Sequence, residues 1–321
     1  MPRPLVTVTR RLPDAVEDEL RRHFDLRTGA VDAPMGPADL RRALAESDGL
    51  LCTVTDRLGA DVLGTTPIRC RILANFGVGF NHIDLAAARS LGLVVTNTPG
   101  VLTDATAELT LTLMLMAARR AGEGEREVRS RSWRGWRPTH LMGIGLTGRT
   151  LGVIGMGRIG QAVAERAALG LGMRVIFVTR NPGTSSPFAS RRERLEQLFE
   201  EADVVSLHAP ATSETRHLID ARALGGMRRS AILVNTARGD LVDEAALADA
   251  LEEGTIRAAG LDVYEHEPAV NPRLLALENV VLLPHLGSAT ESARVAMGRR
   301  ALENLRAFFA GERPPDQLPL P

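Results

Sequence analysis

Leu151-Gly152-Val153-Ile154-Gly155-Met156-Gly157-Arg158-Ile159-Gly160-Gln161-Ala162-Val163-Ala164 decides how this chain is read. A short apolar run breaks into glycines at the first, third and sixth places of a turn, and a helical pattern opens directly behind them. The spacing alone is weak, because glycine is common in turns. The strand before it and the helix after it give the spacing meaning. Gly155 permits a tight turn, Gly157 lets backbone approach a pyrophosphate, and Gly160 lets helix and strand pack closely. The helix start at Arg158 and Ile159 offers free N–H groups and a favourable dipole to phosphates. A dinucleotide-binding domain is predicted.

Working outward, β-rich runs alternate with helical patterns along the whole chain, as βαβ units require. After residue 150 six strands are expected: Thr150–Ile154, Val175–Val178, Val204–Leu207, Ala231–Asn235, Ala259–Asp262 and Val280–Leu283. Helical patterns fill the gaps at Ile159–Leu169, Arg191–Glu201, Ala221–Met227 and Glu244–Glu253. The first hundred residues suggest strands at Leu5–Thr9, Leu50–Thr55, Ile72–Ala74 and Leu93–Asn97, with helices at Ala15–His23, Pro37–Glu46 and Asp84–Leu91. A long helix over Asp104–Arg120 is apolar almost all round at Leu109–Met116, so burial is expected. Glu123–His140, charged and holding Trp133 and Trp136, reads as an excursion. A helix near Thr290–Ala310 and a Pro-rich tail close the chain.

NAD enzymes place a carboxylate about twenty residues after the glycine loop, on the adenosine ribose. Here that place reads Thr179-Arg180-Asn181, and no aspartate or glutamate occurs between Glu165 and Glu193. A hydroxyl followed by a guanidinium suits a 2′-phosphate. NADP(H) is therefore favoured over NAD(H), which is not excluded.

In doubly wound sheets ligands lie beyond the carboxyl ends of the strands. After the cofactor loop those ends carry Thr179-Arg180, His208-Ala209-Pro210, Asn235-Thr236-Ala237-Arg238-Gly239-Asp240, Asp262 and Pro284-His285. Reduction of a 2-oxo acid needs an acid for the carbonyl oxygen and a cation for the carboxylate. His285 and Arg238 supply those types. A carboxylate beside the histidine would favour its charged form, and Asp262, Glu265 and Glu267 all precede it.

Val234-Asn235-Thr236-Ala237-Arg238-Gly239, Gly260-Leu261-Asp262-Val263-Tyr264-Glu265-His266-Glu267-Pro268 and Leu283-Pro284-His285-Leu286-Gly287-Ser288-Ala289-Thr290 resemble, in this order, three signatures of the D-isomer-specific 2-hydroxyacid dehydrogenases. Asn75–Asp84 and Asn97-Thr98-Pro99-Gly100-Val101 look like further motifs of that family. Trp136-Arg137-Pro138 and the Thr-Arg pair look most like its glyoxylate/hydroxypyruvate reductases.

The resemblance implies an α/β fold of two doubly wound parallel-sheet domains. A flavodoxin-like substrate domain (1–99 plus 288–321) would receive a Rossmann-type NAD(P) domain (100–287) as an insertion. It implies Arg238 on the substrate carboxylate and carbonyl, His285 as general acid, Glu267 as its partner, and the Val78-Gly79 backbone on the carboxylate. Asp262 would meet the nicotinamide amide, with Thr106 nearby. Gly155, Gly157, Arg158, Ile159, Gly160, Thr179, Arg180, Asn181, His208, Pro210, Thr236, Ala237 and Gly287 complete the expected cofactor contacts. A homodimer through the nucleotide domains is also implied.

Blander readings stand beside these. His208 suits a structural or adenine-side place, and His23, His82, His217 and His266 suit loops, surfaces or a helix end. Asp240 suits a cap or turn, and the tryptophans suit packing. His140 stays open, since related reductases carry a bulky residue there near a neighbouring active site. Acidic and basic residues balance at 39 each, and aromatics are 3% of the chain, which argues against nucleic acid as a partner. All 39 basic residues are arginine, so single arginines need support from position. Cys52 and Cys70 lack metal-ligand spacing, so no metal site is expected. With no signal-like or membrane-length apolar segment, a cytoplasmic protein is expected. Competing activities are D-lactate or phosphoglycerate dehydrogenase, formate- or phosphite-oxidising relatives, or a nucleotide-sensing corepressor.

Overall fold

The computed structural model describes residues 3–29, 32–64 and 67–319. The outer ends of the expected first domain, residues 1, 2, 320 and 321, lie outside them. The chain forms two units, one of residues 1–102 with 289–321 and one of residues 103–288.

The first unit begins with β1 (Leu5–Val8), α1 (Asp14–His23), β2 (Asp25–Thr28), α2 (Pro37–Glu46) and β3 (Gly49–Cys52). It continues with α3 (Ala60–Leu63), β4 (Ile72–Asn75), α4 (Leu85–Ser90) and β5 (Val94–Thr96). The five strands are all parallel, in the order β2-β1-β3-β4-β5. That is the flavodoxin-like winding. Every residue of β3 and β4 is buried, which is why both read as continuous apolar runs rather than alternating ones. The edge strand β2, Asp-Leu-Arg-Thr, has three exposed residues and no apolar pattern, and the sequence reading misses it.

The second unit opens with α5 (Thr103–Arg119) and α6 (Ala121–Arg129). It then runs through β6 (Thr150–Ile154), α7 (Arg158–Leu171), β7 (Arg174–Val178), β8 (Ser190–Arg191), α8 (Leu195–Glu201), β9 (Val204–Leu207) and α9 (Ala221–Gly225). It ends with β10 (Ile232–Asn235), α10 (Glu244–Glu252), β11 (Ala258–Leu261), α11 (Pro272–Ala276) and β12 (Val280–Leu282). Seven parallel strands form one sheet, β12-β11-β10-β9-β6-β7-β8. The chain moves outward from β6 to β8, then crosses to β9 on the other side. That reversal leaves a crevice beyond the carboxyl ends of β6 and β9, beside the glycine loop. One face of the sheet packs against Leu198, Leu224, Leu247 and Leu251 from α8, α9 and α10. The other packs against Leu113, Met114, Val163 and Ala167 from α5 and α7.

Three expectations change here. The sheet has seven strands rather than six, because Ser190–Arg191 pairs with β7, so α8 starts only at Leu195. The segment 123–140 begins inside a helix, α6, which buries none of its side chains. The helix α5 buries a stripe, Thr106, Ala107, Thr110, Leu113, Met114, Ala117 and Ala118, and leaves Leu115 exposed. Its spacing of three and four is that of an amphipathic helix, despite the apolar composition.

The chain then returns to the first unit as α12 (Glu291–Phe309), capped by the Thr290 hydroxyl accepting from the Ala293 N–H. It lies on α1 so closely that a β-carbon at Gly298 would fall 2.4 Å from Val16 Cγ1. Among the described residues no helix is long and apolar enough to cross a membrane, and no group of three metal-ligating side chains occurs.

Candidate active site at the carboxyl ends of the second sheet

Asn235, the last residue of β10, folds the chain back over itself. Its Oδ1 accepts the Ala237 N–H at 3.0 Å, and its Nδ2 donates to the Arg238 carbonyl at 2.8 Å. Arg238 Nη1 in turn donates to the Ala237 carbonyl at 2.5 Å. The Thr236 hydroxyl meets that of Thr110 in α5 at 2.8 Å. The next residue must be glycine, because a β-carbon at 239 would sit 1.9 Å from the Tyr264 carbonyl carbon. Close approach at Gly239 thus seats the Arg238 turn against the segment that leads to Glu267. Burial lowers the Arg238 pKa, and the charges of Glu267 and Asp240 offset part of that. The guanidinium remains a cation at any working pH.

Glu267 is held from two sides. Oε1 accepts the Tyr264 N–H at 3.0 Å, and Oε2 lies 2.8 Å from His285 Nδ1. Burial alone would raise its pKa, yet the hydrogen bond and charge of His285, the Tyr264 N–H and the charge of Arg238 together hold it below the ordinary glutamate range. Glu267 is therefore a carboxylate at neutral pH, aimed at one ring nitrogen of His285.

His285 itself has a left-handed backbone, φ +57°. For a residue with a β-carbon that conformation costs roughly 1–3 kcal/mol and must be imposed by its surroundings. Asp262 imposes it. Its carbonyl accepts the His285 N–H at 2.9 Å, Oδ1 accepts the Leu286 N–H at 2.6 Å, and Oδ2 accepts the Gly287 N–H at 2.7 Å. Thr106 Oγ1 donates to the Gly287 carbonyl at 2.9 Å and completes the clamp. Asp262 is fully buried, and burial pushes its carboxyl above the ordinary aspartate value against the pull of those N–H groups and of His285.

The cofactor cradle lies at β6. Gly155 has φ +94°, and a β-carbon there would fall 2.6 Å from the His208 carbonyl carbon. At Gly160 a β-carbon would meet the Gly155 carbonyl oxygen at 2.2 Å, whereas the space beside Gly157 is open. The Gly155 turn packs against His208 and Ala209 just after β9, and α7 begins at Arg158 with no side-chain cap on its first N–H groups. This arrangement fits a dinucleotide pyrophosphate. His208 Nε2 contacts Ser206 Oγ at 2.8 Å, and burial pushes its pKa down to about 4, so it is neutral at pH 7. The Pro210 carbonyl accepts the Thr215 hydroxyl at 2.7 Å.

A profile of the D-isomer-specific 2-hydroxyacid dehydrogenase NAD-binding domain matches residues 111–287. The chain belongs to this family. It is 46% identical over 325 residues to a glyoxylate reductase of Aeropyrum pernix, covering 98% of this chain and 96% of that one. A glyoxylate reductase of Thermococcus litoralis is 42% identical over 320 residues, with 98% and 96% covered. The crystal structure of an NADPH-dependent glyoxylate/hydroxypyruvate reductase from Sinorhizobium meliloti, in complex with NADP and malonate, superposes with a TM-score of 0.88. It shares 33% identity, with 98% of this chain and 97% of that one covered.

Within the nucleotide unit of this dehydrogenase, Glu267 and Asp262 contact the 285–287 turn, and the charge of Arg238 acts on Glu267. Two features of the cofactor edge differ from the sequence reading. Arg180 does have a carboxylate beside it: Nη1 contacts Glu214 Oε2 at 2.8 Å, from 34 residues away, and both side chains are exposed. The Thr179–Pro182 turn is shaped by Arg191, which donates to the carbonyls of Thr179, Asn181 and Pro182 at 3.3, 3.0 and 2.9 Å. Arg191 and Glu214 carry no sequence signal of their own, since each acts through backbone geometry or a distant partner; Asn235 and Tyr264 fall inside the quoted motifs, but their backbone bonds do not show in the residue pattern. His217, expected to be a loop residue, contacts Glu265 at 2.5 Å, next to the Tyr264 turn.

Proposed function

We propose that this dehydrogenase reduces glyoxylate, hydroxypyruvate or both to the 2-hydroxy acid, with NADPH preferred to NADH. The observation that carries the reading is the 2.8 Å contact of His285 Nδ1 with an ionised Glu267, beside buried Arg238, at the mouth of a dinucleotide cradle. The bound nicotinamide supplies the hydride. Arg238 binds the substrate carboxylate and polarises the carbonyl, and the backbone of Val78 and Gly79 also holds the carboxylate. His285 Nε2 gives its proton to the carbonyl oxygen as negative charge develops there, and Glu267 stabilises the imidazolium before transfer. Asp262 keeps the imidazole aimed and contributes to the nicotinamide amide site, next to Thr106.

The preference for NADPH rests on Thr179-Arg180-Asn181, where the ribose-binding carboxylate of NAD enzymes is missing. We further propose a cytoplasmic homodimer joined through the nucleotide units, in which residues 1–99 and 288–321 serve as the substrate domain. Val128, Trp133, Trp136 and Met142 leave more than half of their surfaces exposed along one excursion, which supports a second copy there. Analytical ultracentrifugation tests the dimer. A panel of 2-oxo acids against both reduced cofactors tests the activity: glyoxylate or hydroxypyruvate should oxidise NADPH. No turnover of any 2-oxo acid with either cofactor would end the reductase reading.

A further inference from the structure

The loop after β4 shows how a backbone is made to bind an anion. Three successive carbonyls, those of Gly77, Val78 and Gly79, all accept from asparagine side chains. Asn75 Nδ2 donates to Gly77 O at 3.0 Å and to Gly79 O at 2.9 Å. Asn97 Nδ2 donates to Val78 O at 2.9 Å. Gly77 O also receives the Thr98 N–H at 3.0 Å. A trans peptide is planar, and its C=O and N–H point in opposite directions. Holding the carbonyls of residues 77, 78 and 79 toward the asparagines therefore turns the N–H groups of Val78, Gly79 and Phe80 the other way. Among the described residues none of those three N–H groups donates to a protein acceptor. Partly exposed donors aligned over successive residues are the makings of an anion-binding nest.

The amides cannot be turned over without loss, because that would set Asn oxygens against carbonyl oxygens. Asn75 is buried. Asn97 is also fixed from behind. It directly follows β5, and its carbonyl accepts from Asn304 Nδ2 at 3.2 Å. Asn304 of α12 in turn accepts the Asp316 N–H at 3.0 Å and contacts the Asp316 carboxylate at 3.0 Å.

We infer that Asn75 and Asn97 are positioning residues for the substrate carboxylate, acting solely through the peptide planes of residues 77–80. The inference rests on the proposed role of Val78 and Gly79 in holding that carboxylate. It adds a specificity device: a fixed row of N–H groups selects a 2-oxo compound that ends in a carboxylate.

The test uses full-length protein and oxamate, a carboxylate-bearing, non-reducible mimic of a 2-oxo acid. Asn75→Ala should raise the glyoxylate KM and the oxamate Ki together by about tenfold or more. The kcat at saturating glyoxylate should stay within about threefold, and the NADPH Kd, read by fluorescence, within about twofold. Asn75→Leu, neutral and similar in shape but lacking donors, should behave like Asn75→Ala, which a space-filling role would not produce. Asn97→Ala frees one carbonyl rather than two, and it serves as the second probe if Asn75 variants do not fold. It should show a smaller rise in both constants. Folded variants with wild-type KM and Ki would overturn the brace alone. Wild-type protein that binds no oxamate in its NADPH complex would overturn the Val78–Gly79 reading, and the brace with it.

Discussion

Replacing Asp262 by asparagine should disable His285 without touching it. The aspartate carboxylate accepts two backbone N–H groups at 2.6 and 2.7 Å, short contacts of the charge-assisted kind. Such bonds contribute about 1.5–3 kcal/mol each. Asparagine keeps one neutral acceptor, worth about 1 kcal/mol, and points its NH2 at the other N–H, leaving a buried donor unpaired. Against this, the raised pKa of Asp262 means that its burial is already costly, and that part of the loss is returned. The balance is about 2–5 kcal/mol, set against a left-handed His285 held at roughly 1–3 kcal/mol. For a unit of this size that corresponds to a fall in Tm of roughly 4–20 °C.

The larger effect should be on rate. A displacement of about 1 Å at a reacting group costs on the order of 10²-fold, so kcat should fall by about that factor while far-UV dichroism stays unchanged. A double-mutant cycle makes the test specific. If Asp262 acts through His285, then Asp262→Asn in a His285→Ala background should cost little further kcat. Losses that multiply in full, or a single variant with kcat within threefold of wild type, would refute the clamp.

Three shorter expectations follow. Exposed ion pairs contribute little, so Arg180 can exchange Glu214 for a 2′-phosphate: Arg180→Ala should lower kcat/KM for NADPH more than for NADH, and Glu214→Gln should raise it, as steady-state kinetics with both cofactors will show. Because the Glu267 pKa is depressed on folding, its contribution to stability is complete above the unfolded glutamate range and is lost as pH falls through the lower folded value; in urea melts between about pH 3 and 6 the wild type should lose more stability on acidification than Glu267→Gln. Gly239→Ala should cost about 3 kcal/mol or more and most of kcat, since its methyl would overlap the Tyr264 carbonyl and drive the Arg238 turn off its seat; wild-type activity with an unchanged Tm would contradict that packing.

What could be read in advance divides along physical lines. Buried parallel strands such as Leu50-Leu51-Cys52 and Ile232–Asn235 announce themselves, because water is excluded from both faces. The glycine loop and the strand-end Arg238, Asp262 and His285 are equally legible, since turn chemistry and chain order constrain them. An edge strand such as Asp25–Thr28 buries too little to leave an apolar pattern. Ser190–Arg191 is only two residues long. The helix Ala121–Arg129 buries nothing and carries two glycines, so neither pattern nor propensity marks it. In the site, the illegible parts are those that depend on the third dimension: Glu214 arriving beside Arg180, Arg191 bridging three carbonyls, and two asparagines fixing peptide planes between them.

The return of α12 to α1 also sets a timetable for synthesis. The ion pair of Glu19 with Arg299 spans 280 positions, and about two-thirds of that separation is the nucleotide unit. A ribosome adding about 5–20 residues per second needs roughly 10–40 s to make that insert. Through that interval the apolar side of α1, with Val16 and Leu20, has no α12 to cover it. The inserted unit is one continuous stretch of chain and can finish first. The nascent polypeptide thus acquires its dinucleotide cradle before Asn97 is tied down by Asn304, and chaperone demand should concentrate on the uncovered face of α1.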